Sequence, residues 1–188
     1  MLNIVSGLFS EGAPPVSPTS YESIQTFTVG VGGTASISFT SIPSTFKHLQ
    51  IRGIARGNGG AFYDRPLIQF NSDTGSNYSW HYLEGYNTST GAAAGTSQTF
   101  ISEYYAASGA GATASVFGAM VLDILDYADT NKYKTTRSLA GLDSNTVGGA
   151  LQLASGSWRN TAAISTITLS GFTFQQYSQF ALYGIKGA

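Results

Sequence analysis

The stretch KHLQIRGIAR at residues 47–56 decides the fold class. Every second residue is apolar or small, and the predicted inward positions are Leu49, Ile51, Gly53 and Ala55. The predicted outward positions are His48, Gln50, Arg52 and Arg56. Only Ile54 breaks the alternation. Successive side chains of a strand point to opposite faces, so a period of two residues predicts a half-buried β-strand.

Segments of the same kind follow one another along the chain, separated by turns rich in Gly, Ser and Asn. The predicted strands cover residues 24–29, 35–39, 47–56, 65–70, 113–125, 132–142, 147–158, 164–174 and 180–186. This spacing predicts an all-β chain, an antiparallel β-sandwich or jelly roll of about eight to ten short strands. Residues 88–95 and 106–114 are rich in small residues, and we predict loops there with little packing of their own.

The predicted strand at residues 113–125 has two apolar faces. Val116, Met120, Leu122 and Ile124 lie on one side, and Phe117, Val121 and Leu125 lie on the other. A strand that is apolar on both faces is typical of a sheet covered on both sides. We therefore expect a central strand that is either covered twice within the chain or placed at a subunit interface.

The composition excludes several classes of function. Hydrophobic residues make up 42 % of the 188 residues, enough for one packed domain, whereas charged residues are only 10 %. With nine basic and ten acidic residues and no basic stripe, we expect no nucleic-acid partner and no membrane partner. The chain has no cysteine and no apolar run of about 18 residues, which argues against disulfides and a membrane span.

Residues 1–20 differ from the remainder and are predicted to form an extended arm ahead of a sandwich domain at 21–188. The apolar residues of this arm are Leu2, Ile4, Val5, Leu8 and Phe9, and they precede Pro14, Pro15 and Pro18. Prolines favour an extended backbone with few hydrogen bonds. A frayed terminus is one interpretation. We favour the other interpretation, an arm that docks on another subunit. The apolar start is not interpreted as a signal peptide, because no Lys or Arg precedes it.

The sequence offers little catalytic chemistry, and we predict a non-enzymatic protein without a cofactor. His48 and His81 are the two histidines, and Gly-x-Ser-x-Gly does not occur. The acids Asp64, Asp73, Glu84, Glu103 and Asp143 stand alone in the sequence. A hydrolase remains an alternative only if two acids, or a histidine and an acid, converge in one cleft.

One acidic group is a weak metal candidate. Asp123, Asp126 and Asp129 lie close together in the sequence, where a strand runs into a turn, and hard oxygen ligands suit Ca²⁺. Aspartate is also a common turn residue, so we predict no metal, with calcium as the alternative.

An aromatic group at residues 78–86 is the candidate binding surface. Its members include Trp80, His81, Tyr82 and Tyr86. Aromatic rings with polar neighbours are typical of shallow sugar sites, where a ring covers the apolar face of the sugar. A protein partner surface is equally compatible with this pattern. In a third interpretation, alternate rings belong to the core.

Four segments resemble small structural proteins of tailed bacteriophages. They are SYESIQTFTVGVGG at residues 20–33, SIPSTFKHLQIR at 41–52, NSDTGSNYSWHY at 71–82 and FALYGIKG at 180–187. The resemblance lies in the general residue pattern and covers the whole predicted sandwich. None of these segments is a motif with defined chemistry.

The resemblance implies a virion component that is assembled in the host cytoplasm and exposed on the particle surface. The first expectation is a capsid decoration protein, of the cement or head-fibre type, that docks on the major capsid protein or other virion subunits through its arm. The alternative is a tail-fibre or baseplate subunit that binds a host surface glycan. Such proteins are often β-rich, and a homo-oligomer is expected, with a trimer favoured.

Overall fold

The computed structural model describes residues 20–144 and 148–187, and these ranges contain fourteen β-strands and no helix. The strands are β1 (Tyr21–Thr28), β2 (Ile37–Phe39), β3 (His48–Ala55), β4 (Tyr63–Asp64), β5 (Leu67–Phe70), β6 (Tyr78–Tyr86), β7 (Ser89–Gln98), β8 (Ile101–Ser102), β9 (Ala107–Ser108), β10 (Gly118–Leu125), β11 (Lys134–Asp143), β12 (Gly149–Trp158), β13 (Ile167–Ser170) and β14 (Gln179–Ile185). No helix in the described part of the chain is therefore available to span a membrane. The predicted all-β fold is confirmed, with more strands than expected because several have only two to four residues.

Eight strands form one antiparallel sheet in the order β1-β14-β3-β10-β11-β12-β6-β7, which we call the large sheet. Its edge strand β1 pairs with β14, and the amide of Lys186 donates a hydrogen bond to the Ser20 carbonyl at 3.0 Å. The two ends of the described domain therefore lie side by side at one corner of this sheet.

A smaller sheet in the order β2-β13-β5-β8 covers part of one face of the large sheet. The core between them consists of fully buried apolar side chains, among them Ile37, Leu49, Ile51, Ile68, Leu122, Ile124, Ile167 and Leu182. We call the covered side of the large sheet the inner face and the opposite side the outer face. The predicted alternation of residues 47–56 is confirmed, since Leu49, Ile51 and Ala55 are all buried.

The loop predicted at residues 88–95 is wrong, whereas the loop predicted at 106–114 is largely confirmed in its backbone but is partly buried rather than loosely packed. Residues 88–95 belong largely to β7, whose small residues make room for side chains of β6: a Cβ added to Gly95 would lie 2.6 Å from the Trp80 ring. Residues 106–114 contain β9, and Ala106, Ala107 and Ser108 are completely buried. Both segments lack large apolar side chains, so their packing comes from the residues that lie against them.

The predicted strand at residues 113–125 begins only at Gly118. Before it, the Arg56 guanidinium donates hydrogen bonds to the carbonyls of Ala112, Thr113 and Val116 at 2.9 to 3.2 Å. These carbonyls converge on one cation, which holds the segment in a loop. The remainder forms a central strand, as predicted, with Met120 and Leu122 buried on the inner face.

Candidate interaction surface

The outer face of the large sheet carries a row of apolar side chains. By strand register, Val121 of β10 lies beside Leu139 of β11, Leu139 beside Leu153 of β12, and Leu153 beside Leu83 of β6. The three leucines are between 51 % and 59 % exposed. We call Val121, Leu139, Leu153 and Leu83 the ridge. It crosses four adjacent strands with no break.

A trough runs parallel to the ridge on the same four strands, and on each strand it lies two residues away from the ridge residue. Ala119, Gly141 and Gly85 lie there beside Val121, Leu139 and Leu83, and Leu151 interrupts the trough at β12. The shallow depressions on the two sides of Leu151 have volumes of about 460 and 480 Å³. This surface can therefore receive apolar side chains of another protein.

Charged groups lie on the other side of the ridge and are paired locally. The Arg137 Nε atom lies 2.9 Å from Asp123 Oδ2, and Gln50 donates a hydrogen bond to Asp123 Oδ1 at 2.8 Å. At the β3 end of the ridge, Arg52 lies beside Val121 and over the rings of Tyr21 and Tyr183, at 5.4 and 5.2 Å from their centres. The outer face thus combines an apolar centre with a polar margin, as the core and rim of a protein interface do.

The predicted aromatic surface is split between the two faces of β6. Trp80, Tyr82 and Tyr86 lie on the inner face, whereas His81 is exposed on the outer face. The cause is the two-residue alternation of the strand. The prediction that these four residues form one surface is therefore wrong, and Tyr82 is buried, as the core interpretation expects.

The three inner rings belong to an aromatic cluster that the sequence does not reveal. Trp80 stacks on Tyr82 at 5.7 Å between ring centres, and Tyr104 lies 5.0 Å from Tyr82. The guanidinium of Arg65 lies over the Tyr104 ring at 4.8 Å. Neighbouring rings are those of Phe62, Tyr63, Tyr86 and Tyr105. Tyr104 and Arg65 come from segments distant in sequence from β6, so only tertiary structure brings them together.

Glu84 lies on the inner face of β6 at the edge of this cluster. Burial raises the pKa of the Tyr105 hydroxyl, and the neighbouring Glu84 carboxylate raises it further through a hydrogen bond and its charge. Burial likewise raises the pKa of Tyr82, with Glu84 again contributing. Since the ordinary pKa of a phenol is near 10 and both values are raised, the two hydroxyls are protonated at neutral pH and are hydrogen-bond donors there.

Glu103 is the most unusual acid of the described residues. Its side chain is 1 % exposed, and the Ser138 hydroxyl of β11 donates a hydrogen bond to its carboxylate. Burial raises the pKa of Glu103 to about 7, and the hydrogen bond from Ser138 offsets only part of this effect. The sequence shows Glu103 only as an isolated acid between Ser102 and Tyr104 and carries no signal of its burial.

The weak calcium candidates do not form one site. Asp123 lies on the outer face next to Arg137, whereas Asp126 is paired with Lys47 at 2.8 Å and with Lys132 at 2.7 Å. Hydrogen bonds from the two lysines lower the pKa of Asp126 to about 2. Asp129 lies 3.4 Å from Lys132. Across residues 20–144 and 148–187, no group of three or more His, Cys, Asp or Glu side chains could hold a metal ion.

The two histidines occupy different places on the large sheet. The Nδ1 atom of His48 accepts a hydrogen bond from the Asp126 amide at 2.9 Å, and Asp126 Oδ1 lies 3.7 Å away. Because Nδ1 is an acceptor here, it carries no proton to share with that carboxylate. His81 lies four strands away from β3 in the large sheet.

The predicted docking residues Leu2, Ile4, Val5, Leu8 and Phe9 lie outside the described residues. Comparisons of the chain with protein-family models, with curated proteins and with solved structures find no match.

Proposed function

We propose that the chain is a non-enzymatic structural subunit of a tailed-bacteriophage virion, and specifically a capsid decoration protein. The observation that carries this proposal is the apolar outer face, on which the ridge crosses four strands. Single exposed apolar residues are ordinary on protein surfaces, but a contiguous apolar patch marks an interaction site. A subunit built to assemble has such a patch.

Burial of the ridge provides a driving force for assembly. Full burial of a leucine contributes about 1.5–3 kcal/mol, and the ridge leucines are already about half buried. Each of them therefore offers roughly 1 kcal/mol more on docking. This supports a subunit that joins other virion subunits through its apolar outer face, with residues 1–20 as the arm that docks on the major capsid protein.

Immunolabelling tests this proposal on intact particles. An antibody raised against the folded chain is applied to particles purified from the phage source, and its position is determined by electron microscopy. We expect label over the head. Label confined to the tail would overturn the decoration role in favour of a tail-fibre or baseplate subunit, and particles without label would overturn the surface-virion proposal altogether.

Deletion of residues 1–20 tests the docking arm. The large sheet, the smaller sheet and the core between them lie within the described residues, so we expect the shortened chain to fold with an unchanged circular dichroism spectrum. We also expect it to lose attachment to particles that lack the native protein, measured by co-sedimentation against the full chain. Equal co-sedimentation of both chains would contradict an anchoring role for Leu2, Ile4, Val5, Leu8 and Phe9.

The second candidate function is a tail-fibre or baseplate subunit that binds a host surface glycan. The observation that favours it is the aromatic cluster, in which Tyr63, Trp80 and Tyr104 are half-buried and the exposed Arg65 lies against Tyr104. Rings that present part of a face beside a cation and a carboxylate suit sugar recognition.

Trp80→Ala distinguishes the glycan function from a purely structural cluster. Because Trp80 is half-buried, we expect the variant to lose about 2 kcal/mol of unfolding free energy and to remain folded. If the cluster binds sugar, binding on a glycan array is lost in Trp80→Ala and retained in His81→Ala, a control on the opposite face of the same strand. An array on which the native chain binds nothing would rule the glycan function out.

A further inference from the structure

We propose that a second copy of this chain covers the outer face and forms a two-fold pair in which β11 packs antiparallel on β11 of the other copy. The inference rests on the proposed role as an assembly subunit and names the partner of its apolar face. The axis runs across the strands through the row of Met120, Ala140, Gln152 and Glu84, which the strand register aligns.

The two-fold axis places each ridge over the other copy's trough. On β11, Leu139 and Gly141 lie one residue to either side of Ala140, so Leu139 faces the second copy's Gly141. On β10 and β6 the corresponding pairs are Val121 over Ala119 and Leu83 over Gly85. A large side chain faces a small one on three of the four strands. Such self-complementarity is what an isologous interface requires.

Charge complementarity points to the same arrangement. Arg137 lies three residues before Ala140 and Asp143 three residues after it, and both are exposed on the outer face. The axis therefore places Arg137 opposite the second copy's Asp143, and the reverse pair forms on the other side. Each Arg137 then lies between Asp123 of its own chain, with which it is already paired at 2.9 Å, and Asp143 of the second copy.

The outer face is large enough for a stable dimer. Eight strands about 4.8 Å apart, with about eight residues each at 3.3 Å, give a face of roughly 1,000 Å². A stable interface of standard size buries about 800 Å² on each partner. A second copy can thus bury the whole ridge, the trough and the charged row at once.

Sedimentation equilibrium of the full chain tests the pair. We expect a dimer whose dissociation constant rises at least about 100-fold in Leu139→Asp, because a carboxylate would be buried against an apolar trough. Val31→Asp is the matched control, since Val31 is an exposed apolar residue in the turn after β1 and should leave the dimer intact. If Leu139→Asp fails to fold, Leu139→Thr takes its place, because threonine is favourable in a strand. It should also weaken the dimer.

Three outcomes of this measurement overturn the proposal. The first is a native chain that is still monomeric at about 100 μM, which is 100-fold above a dissociation constant of about 1 μM. The second is a trimer, and the third is a dimer whose dissociation constant Leu139→Asp leaves unchanged. A monomer would favour residues 1–19 as the occupant of the face. If the native chain is monomeric and its antibody labels particles, the dimer is wrong and the proposed function stands. If the chain is dimeric and its antibody labels no particle, the proposed function is wrong and the dimer stands.

Cross-linking tests the register of the pair. The chain has no cysteine, so Arg137→Cys and Asp143→Cys each introduce a single thiol. Packed sheets lie about 10 Å apart, and six residues along a strand span about 20 Å, so a thiol cross-linker of about 10 Å joins position 137 only to position 143 of the other copy. We expect covalent dimers when the two variants are mixed, and none from either alone. Cross-linking of one variant with itself, or none in the mixture, would overturn the register.

Discussion

We expect Trp158→Ala to lose about 3–5 kcal/mol of unfolding free energy, as truncations of buried aromatic residues do. The Trp158 side chain is 1 % exposed and lies between the two sheets, with its ring 5.6 Å from Phe70 and 6.3 Å from Tyr78. Its Nε1–H donates a hydrogen bond to Asp73 Oδ2 at 2.7 Å. Truncation therefore opens a cavity in the core and removes a donor from a charged acceptor.

The hydrogen bond to Asp73 increases the expected loss. Burial of Asp73 favours its protonated form, but hydrogen bonds from Trp158, Asn77 and the Gly75 amide outweigh it and lower the pKa of this carboxyl. The variant leaves that carboxylate with fewer donors.

Urea unfolding followed by circular dichroism measures the effect of Trp158→Ala. Trp158→Phe keeps an aromatic ring in the core while it removes the Nε1 donor and part of the ring volume, so we expect a smaller loss than for Trp158→Ala. Trp80→Ala serves as the comparison with a half-buried tryptophan. A Trp158→Ala loss below that of Trp80→Ala would contradict the central position of Trp158 in the core.

The second large effect is a loss of stability with rising pH that depends on Glu103. The pKa of this carboxyl is 4.5 in the reference state and about 7 in the folded chain, so the folded state holds the proton more tightly. Stability from this group is therefore full below pH 4.5, falls as pH rises towards 7 and is constant above it. The total change is about 3 kcal/mol, at 1.36 kcal/mol for each pKa unit.

Glu103→Gln isolates this effect. A glutamine keeps the carbonyl that accepts the Ser138 hydrogen bond and carries no charge at any pH. We expect the variant to match the native chain near pH 4 and to exceed its unfolding free energy at pH 8. Urea titrations at intervals between these values provide the comparison.

Glu22→Gln is the matched control for Glu103→Gln, since Glu22 is an exposed glutamate on β1 that pairs with Lys186. It should follow the native pH profile. Parallel profiles of the native chain and Glu103→Gln across the whole range would contradict a buried, protonated Glu103.

Local alternation explains which parts of the fold the sequence predicts well. β3 and β10 carry apolar or small residues at every second position, and their inward faces are as predicted. β7 has no such signal, because Gly91 and Gly95 become informative only when Glu84 and Trp80 lie across them.

The sequence indicates only one strand of the apolar outer face. Two apolar faces on residues 113–125 predict either double cover or a subunit interface, and Val121 is exposed on the outer face in the structure, which favours the interface. Leu83, Leu139 and Leu153 become neighbours of Val121 only through the strand order of the large sheet. Glu103 is buried by residues from distant segments, so no local pattern could indicate its pKa.

The meeting of Ser20 and Lys186 at one corner of the large sheet has a mechanical consequence. β1 and β14 are antiparallel neighbours, so a force applied between these two ends loads their hydrogen bonds one after another and peels the strands apart. A force applied along the strands between Ser20 and the Gln179 end of β14 instead loads these hydrogen bonds together in shear. A subunit that is tethered through only one of its two ends is therefore not exposed to peeling, which requires that both ends are pulled at once.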